Sequence, residues 1–150
     1  MTGRLERIWL KRARRGPMDP VDAATLVEGK GVEGSANFGA HRQVTIIALE
    51  RWLAIMAELG AEVDPSARRA ELLVSGLDLE RSRDRLLNIG SCLLRVGGEV
   101  MPCERMDEAY RGLRDAMRAQ WGGGAWAEVL RGGDVAVGDG VTWHGELFAE

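Results

Sequence analysis

A strand gives way to a helix within the stretch Gly97-Gly98-Glu99-Val100-Met101-Pro102-Cys103-Glu104-Arg105-Met106, around which the rest of the chain is organised. Pro102 ends the strand, because proline has no N–H group to donate to a sheet and favours extended geometry in the preceding residue. Cys103 then lies just before the first helical N–H groups, whose partial positive charge favours a thiolate, and Arg105 adds a second positive charge. The position suits a reactive cysteine, and it equally suits the small buried hydrophobic residue that a free cysteine commonly is.

Length and composition indicate one ordinary globular domain. The 150 residues suit a single domain spanning 1–150, with a core at about 5–143. No apolar run is long enough to span a bilayer, so no membrane partner is expected. The N-terminal segment lacks the apolar stretch of a secretory signal, and two cysteines cannot make a disulfide framework. We therefore expect a cytoplasmic protein.

The charge is uneven along the chain. Its formal net charge is −3, yet the first fifteen residues are strongly basic. Their cations are Arg4, Arg7, Lys11, Arg12, Arg14 and Arg15, opposed by Glu6. Without a nucleic-acid-binding motif or interleaved aromatic residues, this cluster does not indicate DNA or RNA as a partner. A solvated turn and an anion-binding edge both remain as interpretations.

Hydrophobic periodicity and turn residues predict a β-rich domain with two main helices. Predicted strands cover 5–11, 22–28, 43–49, 72–77, 85–89, 91–96, 125–130, 134–137 and 141–143. Predicted helices cover 49–59, ended by Gly60, and 106–121, with a short turn capped by Asp64 and Pro65 between them. Because this order is not a regular strand–helix alternation, it predicts an α+β fold with a mixed, barrel-like sheet. In the predicted strand 91–96, Cys92 lies on the buried face and contributes to core packing.

The glycine-rich loop 29–39 is the second candidate for chemistry. Its four glycines allow sharp turns and close backbone approach to a ligand. Lys30, His41 and Arg42 flank it, and a glycine-rich backbone with nearby cations suits a phosphate or another oxyanion. The loop lacks the Gly-Lys-Ser/Thr ending of a P-loop, so a passive mobile loop is the alternative interpretation.

Several segments, taken in their order along the chain, resemble the MOSC domain, named for the C-terminal domain of molybdenum-cofactor sulfurase. They are Gly29-Lys30-Gly31-Val32-Glu33-Gly34, Arg42-Gln43-Val44-Thr45, Arg68-Arg69, Leu72-Leu73-Val74-Ser75-Gly76-Leu77, Pro102-Cys103-Glu104-Arg105-Met106 and Leu130-Arg131-Gly132-Gly133-Asp134 followed by Val137-Gly138-Asp139. The resemblance implies a mixed, barrel-like β-domain with helices. It also implies that Cys103 is the family's single hallmark cysteine, which carries sulfur as a persulfide or ligates molybdenum.

The resemblance implies further site residues near Cys103. The ligand-binding candidates are Gly31, Gly34, Asn37, Arg42, Ser75, Gly76 and Arg105, and the secondary candidates are Lys30, Ser35, His41 and Glu71. Two positions depart from the family pattern, where Asp is expected in place of Ser35 and Asn in place of Glu71. If the two positions meet in space, a carboxylate has moved from one side of the site to the other; if they do not, the site has lost a contact.

The leading hypothesis is a sulfur carrier or molybdenum-cofactor-binding domain that acts through Cys103. Its expected partners are a cysteine desulfurase or another sulfur donor, and a molybdoenzyme or cofactor-assembly acceptor. Whether the protein is an enzyme stays open: it suits a sulfurtransferase-type carrier and also a molybdenum-pterin reductase of N-hydroxylated compounds. A non-catalytic binding module is the third alternative. The sequence has no motif for flavin, NAD or an iron–sulfur cluster, and zinc is not expected because His41 and His144 lack a recognised ligand spacing with the cysteines.

Overall fold

The structure is a computed structural model that describes residues 3–145. Its strands are β1 (Gly3–Lys11), β2 (Met18–Val21), β3 (Ala23–Val27), β4 (Gly31–Val32), β5 (Val44–Ala48), β6 (Leu72–Ser75), β7 (Leu86–Ile89), β8 (Cys92–Glu99), β9 (Ala125–Arg131), β10 (Gly133–Ala136) and β11 (Gly140–Trp143). Its α-helices are α1 (Leu49–Leu59), α2 (Arg105–Ala109) and α3 (Leu113–Ala116), and 3₁₀ turns occur at Pro65–Arg68 and Ala119–Trp121.

Seven strands close into a β-barrel in the order β11-β7-β8-β9-β5-β6-β1, and pairing of β11 with β1 completes the ring. β2 pairs with β1 outside the ring, and β10, β3 and β4 form a separate three-stranded sheet. β5 and β6 run parallel because α1 connects them, whereas the other pairings in the barrel are antiparallel. The predicted α+β fold with a mixed, barrel-like sheet is confirmed.

The barrel wall alternates between an apolar inner face and a mixed outer face, as the two-residue period of a strand requires. On β6, Leu72 and Val74 point into the buried barrel core. Leu73 belongs to a smaller apolar cluster outside the barrel, together with Trp9 and Ile47. Glu71, directly before β6, is two residues from Leu73 and therefore lies on the same outer face of the barrel. The outer face thus carries polar groups next to apolar ones.

Helix α1 forms where the sequence predicts it. It ends at Gly60, whose φ of 64° is the left-handed conformation that glycine adopts without strain. The apolar stripe of α1 packs against residues of α2 and α3 in one buried cluster. The large members of this cluster are Trp52, Ile55, Met56, Met106, Leu113 and Met117. The helices thereby support the segment that carries Cys103.

The prediction of one continuous helix over 106–121 is wrong. The segment divides into α2, α3 and a 3₁₀ turn, because Tyr110 is extended and Gly112 has a φ of 92°. The main-chain N–H of Arg114 is bonded to the Asp107 carboxylate at 3.0 Å, which stabilises the break. The apolar spacing over 106–121 reflects burial of Met106, Leu113 and Met117 rather than one helical stripe. Among residues 3–145, no helix is long and apolar enough to cross a membrane.

Candidate functional site

Cys103 lies in the connection between β8 and α2, and its side chain is exposed. Its carbonyl accepts a hydrogen bond from the N–H of Met106 at 3.0 Å, which begins the short helix. Cys92 is also a free cysteine but is fully buried in the barrel core, where burial raises its pKa. The predicted packing position of Cys92 is confirmed, and only Cys103, of the two, presents its thiol to solvent.

Cys103 opens into a cavity of about 240 Å³ on the outer face of the barrel. Six cationic side chains line this cavity: Lys11, Arg14, Arg42, Arg68, Arg69 and Arg105. The other lining residues are Asn37, Thr45, Ala70, Val100, Met106 and Gly123. No carboxylate is among the described lining residues, so the environment of the thiol is strongly positive.

Arg68 and Arg69 are held in place by main-chain carbonyl groups. Arg68 Nε donates to the Gly123 carbonyl at 2.8 Å, and Arg69 Nη1 donates to the Gly16 carbonyl at 2.5 Å. Arg69 adopts a φ of 64°, a left-handed conformation that costs a non-glycine residue on the order of 1–2 kcal/mol. Because both anchors are neutral carbonyls, the positive charge of the two guanidinium groups is left uncompensated.

The 3₁₀ turn that includes Arg68 and directly precedes Arg69 forms as predicted. Asp64 caps it by accepting a hydrogen bond from the N–H of Ser66 at 3.0 Å, and Pro65 occupies its first position. Arg7 on β1 donates to the same carboxylate at 2.9 Å. This capped turn therefore ties the segment that ends in Arg68 and Arg69 to the barrel wall.

The positive charges of the cavity side chains repel one another, and burial adds to the cost of keeping them charged. Burial lowers the pKa of Lys11, with further lowering by Arg69 and Arg68 and an opposing effect of Glu71. Burial also lowers the pKa of Arg68, where attraction to Cys103 opposes the effect and repulsion from Arg42 adds to it. Among the described residues, none of the six cavity cations forms an ion pair with a carboxylate. Such a cluster is stabilised by an anionic ligand.

Ser35 and Glu71 meet in space beside the cavity. Ser35 Oγ donates to Glu71 Oε2 at 2.6 Å, and both residues are buried. Thr45, which lines the cavity, donates to Glu71 Oε1 from its N–H at 2.9 Å and from its hydroxyl at 2.7 Å. Since the two positions that depart from the expected pattern are direct hydrogen-bond partners, the carboxylate stands on the β6 side of the contact instead of the loop side.

Ser75 and Gly76 lie apart from Cys103. Ser75 is the last residue of β6 and Gly76 follows it, so they lie roughly 13–17 Å along the strand from Glu71 at about 3.3 Å per residue. Ser75 Oγ donates to Glu6 at 2.6 Å, and the N–H of Gly76 donates to Glu50 at 2.7 Å. The expectation that these two residues neighbour Cys103 is not met, because β6 carries them to its opposite end.

The glycine-rich loop contributes to the cavity through its C-terminal end and the residues that follow it. Asn37 and Arg42 line the cavity, with Asn37 donating to the Arg42 carbonyl at 3.4 Å. Gly31 has a structural role, because a Cβ there would stand 2.5 Å from the Gln43 carbonyl oxygen. Gly34, whose φ is 87°, serves the turn.

Two other predicted residues do not line the Cys103 cavity. Lys30 is exposed on the loop. The His41 ring packs against Trp126 in a tilted arrangement, with an interplanar angle of 49° and ring centroids 4.8 Å apart. The predicted residues that do share the cavity with Cys103 are Asn37, Arg42 and Arg105.

Comparison with known proteins identifies the family. A family model of the MOSC domain matches residues 33–142, which include Cys103 and most of the barrel. The chain belongs to the MOSC domain family. This family is associated with molybdenum cofactor binding and sulfur handling. A comparison with curated proteins finds no match.

Solved structures share the MOSC fold. The YUAD protein from Bacillus subtilis is 23% identical, with a TM-score of 0.79 and coverage of 94% of both chains. YiiM from Escherichia coli is 18% identical, with a TM-score of 0.72 and coverage of 95% of this chain and 69% of that one. YiiM from Geobacillus stearothermophilus is 14% identical, with a TM-score of 0.72 and coverage of 94% of this chain and 74% of that one. At these identities the likeness concerns the fold.

The Cys103 cavity contains four cations that the sequence analysis did not select: Lys11, Arg14, Arg68 and Arg69. Two signals were present, namely the basic N-terminal stretch and the Arg68-Arg69 pair after a capped turn. Neither indicates by itself that the two segments converge on Cys103.

The residues around Cys103 suit a phosphorylated cofactor better than a bare metal ion. Within residues 3–145, no group of three or more His, Cys, Asp and Glu side chains is placed to hold a metal ion. One exposed thiol and six cations instead match a ligand that brings its own metal ligands and carries a phosphate. MOSC domains are linked to molybdenum cofactor binding in general, and the cavity cations would contact the phosphate of such a cofactor.

Proposed function

We propose that this MOSC domain is a sulfur carrier that accepts sulfur as a persulfide on Cys103 and delivers it for assembly of a metal–sulfur or molybdenum cofactor. One observation carries the proposal: the exposed thiol of Cys103 opens into a cavity whose described lining residues include six cations and no carboxylate. Such surroundings stabilise anions, and both a thiolate and a persulfide are anions.

The transfer step exchanges one sulfur–sulfur bond for another. The Cys103 thiolate attacks the terminal sulfur of a cysteine persulfide on the donor protein, such as a cysteine desulfurase. The donor's sulfur–sulfur bond breaks, its cysteine leaves as a thiolate, and Cys103 becomes the persulfide. One sulfur atom has moved and no external oxidant or reductant is needed. Attack by an acceptor nucleophile on the terminal sulfur returns Cys103 to a thiolate.

In this proposal the polar and cationic residues of the cavity have different roles. Arg68 interacts electrostatically with Cys103, and its anchor on the Gly123 carbonyl keeps its charge beside the thiol. Arg42 and Arg105 line the same cavity and attract the anionic donor and acceptor groups. Asn37 supplies an uncharged amide that donates hydrogen bonds to a bound group.

Intact-mass spectrometry tests the proposal directly. The protein is incubated with a cysteine desulfurase and cysteine, beside the variants Cys103→Ser and Cys92→Ser. We expect a gain of one sulfur atom, reversed by a reductant, in the wild type and in Cys92→Ser but not in Cys103→Ser. If no variant gains sulfur while a control acceptor does, the carrier proposal is wrong.

The cationic cavity also favours a second candidate, a molybdenum-pterin reductase component acting on N-hydroxylated compounds. Cys103 would then ligate the metal, and Arg68, Arg69 and Lys11 would hold the phosphate of the pterin. The bound group would supply the redox-active metal, and a separate partner would supply electrons. Elemental analysis after expression in a host that makes the cofactor distinguishes the candidates: stoichiometric molybdenum in the wild type and none in Cys103→Ser supports the reductase.

A further inference from the structure

A second cavity adjoins the one that contains Cys103. It has a volume of about 400 Å³, and Arg69, Arg105 and Met106 line both cavities. The Cys103 cavity, here called the inner cavity, is about 240 Å³, which is below the roughly 300–1,000 Å³ usual for ligand sites. With its neighbour, the outer cavity, it falls within that range. Because three residues line both cavities, the two are adjacent compartments of one cleft.

Arg69 and Arg105 stand at the boundary between the compartments. Arg69 is fixed by hydrogen bonds to the carbonyls of Ala13, Arg14 and Gly16. Its pKa is lowered by burial and then by repulsion from Arg105. Two cations held next to each other form a site at which one anionic group can contact both.

Positive charge continues from the boundary into the outer compartment. The consecutive residues Arg14 and Arg15 divide between the compartments, with Arg14 lining the inner cavity and Arg15 the outer one. Glu108 also lines the outer cavity, and the described lining cations there are Arg15 and the two boundary arginines. The outer cavity is therefore less positive than the inner one but still attracts an anion.

We infer that the cleft binds an elongated ligand with two linked anionic groups of the diphosphate type. One group occupies the inner cavity beside Lys11 and Arg68, and the other contacts the boundary arginines and faces Arg15. This inference rests on the proposed function only for the anion-binding role of the cavity and does not depend on sulfur transfer. It names the class of molecule that Cys103 meets: a ligand longer than a single phosphate ester.

Calorimetric titration with inorganic phosphate and inorganic pyrophosphate tests the inference at an ionic strength of about 0.15 M, where distant charges are screened. We expect pyrophosphate to bind about tenfold more tightly than phosphate to the wild type. Arg15→Gln should remove most of this advantage without changing phosphate affinity, and Glu108→Gln should increase it. Lys11→Gln should weaken both ligands. Arg51→Gln, on α1 beside a different cavity, is the matched control.

Two results would overturn the inference: Arg15→Gln and Glu108→Gln leave the pyrophosphate preference unchanged, or neither anion binds. Arg15 and Glu108 are exposed, so both variants should fold, which circular dichroism checks. Sulfur loading of the same samples separates this inference from the proposed function. Loading without a pyrophosphate preference rejects the two-compartment ligand alone, whereas the preference without loading rejects the carrier alone.

Discussion

Strand β6 begins and ends in two different electrostatic environments. At its beginning, Lys11, Arg68 and Arg69 line the Cys103 cavity, and within residues 3–145 none of them forms an ion pair, although the buried Glu71 carboxylate attracts Lys11. At its end, Ser75 and Gly76 are bonded to the carboxylates of Glu6 and Glu50. Polar groups that satisfy one another within the chain require no ligand, whereas a cluster of like charges is stabilised by an anionic ligand. The difference between the two ends supports the proposed binding site at the beginning of the strand, and the hydrogen bonds at its end are structural.

The largest expected effect is a difference in sulfur loading between variants near the beginning of β6 and variants at its end. Cys103→Ser should abolish loading, because oxygen cannot form the persulfide. Ser75→Ala, at the other end of β6, should load sulfur as the wild type does and lose about 1 kcal/mol of stability with its hydrogen bond to Glu6. Intact mass and urea denaturation measure the two properties. A loading defect in a folded Ser75→Ala protein would show that the end of β6 takes part in the chemistry.

The Ser35–Glu71 contact provides the next largest effect. Ser35→Asp alone should cost about 2–4 kcal/mol, because it buries two carboxylates against each other. Glu71→Asn alone should cost about 1–3 kcal/mol, because Asn is one methylene shorter and has one acceptor oxygen where the two oxygens of Glu71 accept from Ser35 and Thr45. The double variant returns the carboxylate to the loop side and should lie within about 1 kcal/mol of the wild type. Denaturant unfolding of all four proteins completes the cycle, and additive losses would contradict the coupling.

A smaller effect is expected at Asp64, whose turn positions Arg68 and Arg69. Burial alone would raise the pKa of Asp64, but hydrogen bonds from Arg7 and Ser66 lower it below the ordinary value. The carboxylate therefore stabilises the fold above its unfolded pKa, and this contribution is lost as the pH falls through the folded pKa. Asp64→Asn should cost less than about 1 kcal/mol at pH 7, since the ion pair is exposed.

Thermal unfolding from neutral to acid pH checks the Asp64 prediction. The difference between wild type and Asp64→Asn should disappear at low pH, where the wild-type carboxyl group is protonated. Asp64→Ala, which also loses the helix cap, should remain less stable throughout. If the stability difference between wild type and Asp64→Asn does not change with pH, the effect comes from the shape of the side chain and not from its charge.

The smallest effect concerns Lys11 at alkaline pH. Its pKa in the folded protein is lowered from 10.5, chiefly by burial. Between that lowered value and 10.5 the unfolded chain binds more protons, so the stability of the wild type should rise with pH relative to Lys11→Met. Chemical denaturation at several pH values measures the slope. Lys30→Met, an exposed site outside the cavity, should keep the wild-type slope, and an equal loss of slope there would reject a special environment for Lys11.

The secondary-structure elements that depend only on nearby residues in the sequence were predictable. Helix α1 and its Gly60 end, the Asp64 cap and the hairpin of β7 and β8 follow from local periodicity and turn residues. The placement of Cys103 between a strand and a helix follows from Pro102 and its flanking patterns. The region 106–121 was not predictable in this way, because burial gave it a helical spacing while Gly112 broke the helix.

The sequence by itself determined the fold class, the family resemblance and the choice of Cys103 over Cys92, because strand alternation, glycine turns and a proline at a strand end act locally. Only the tertiary structure decided the composition of the site. The cations come from separate segments, at Lys11, Arg42, Arg68 and Arg105, and barrel closure brings them to one cavity. The direction of β6 likewise places Ser75 at the opposite end of the strand from Glu71. Spacing along the chain contains no such information, because distances across a barrel are set by strand order and register.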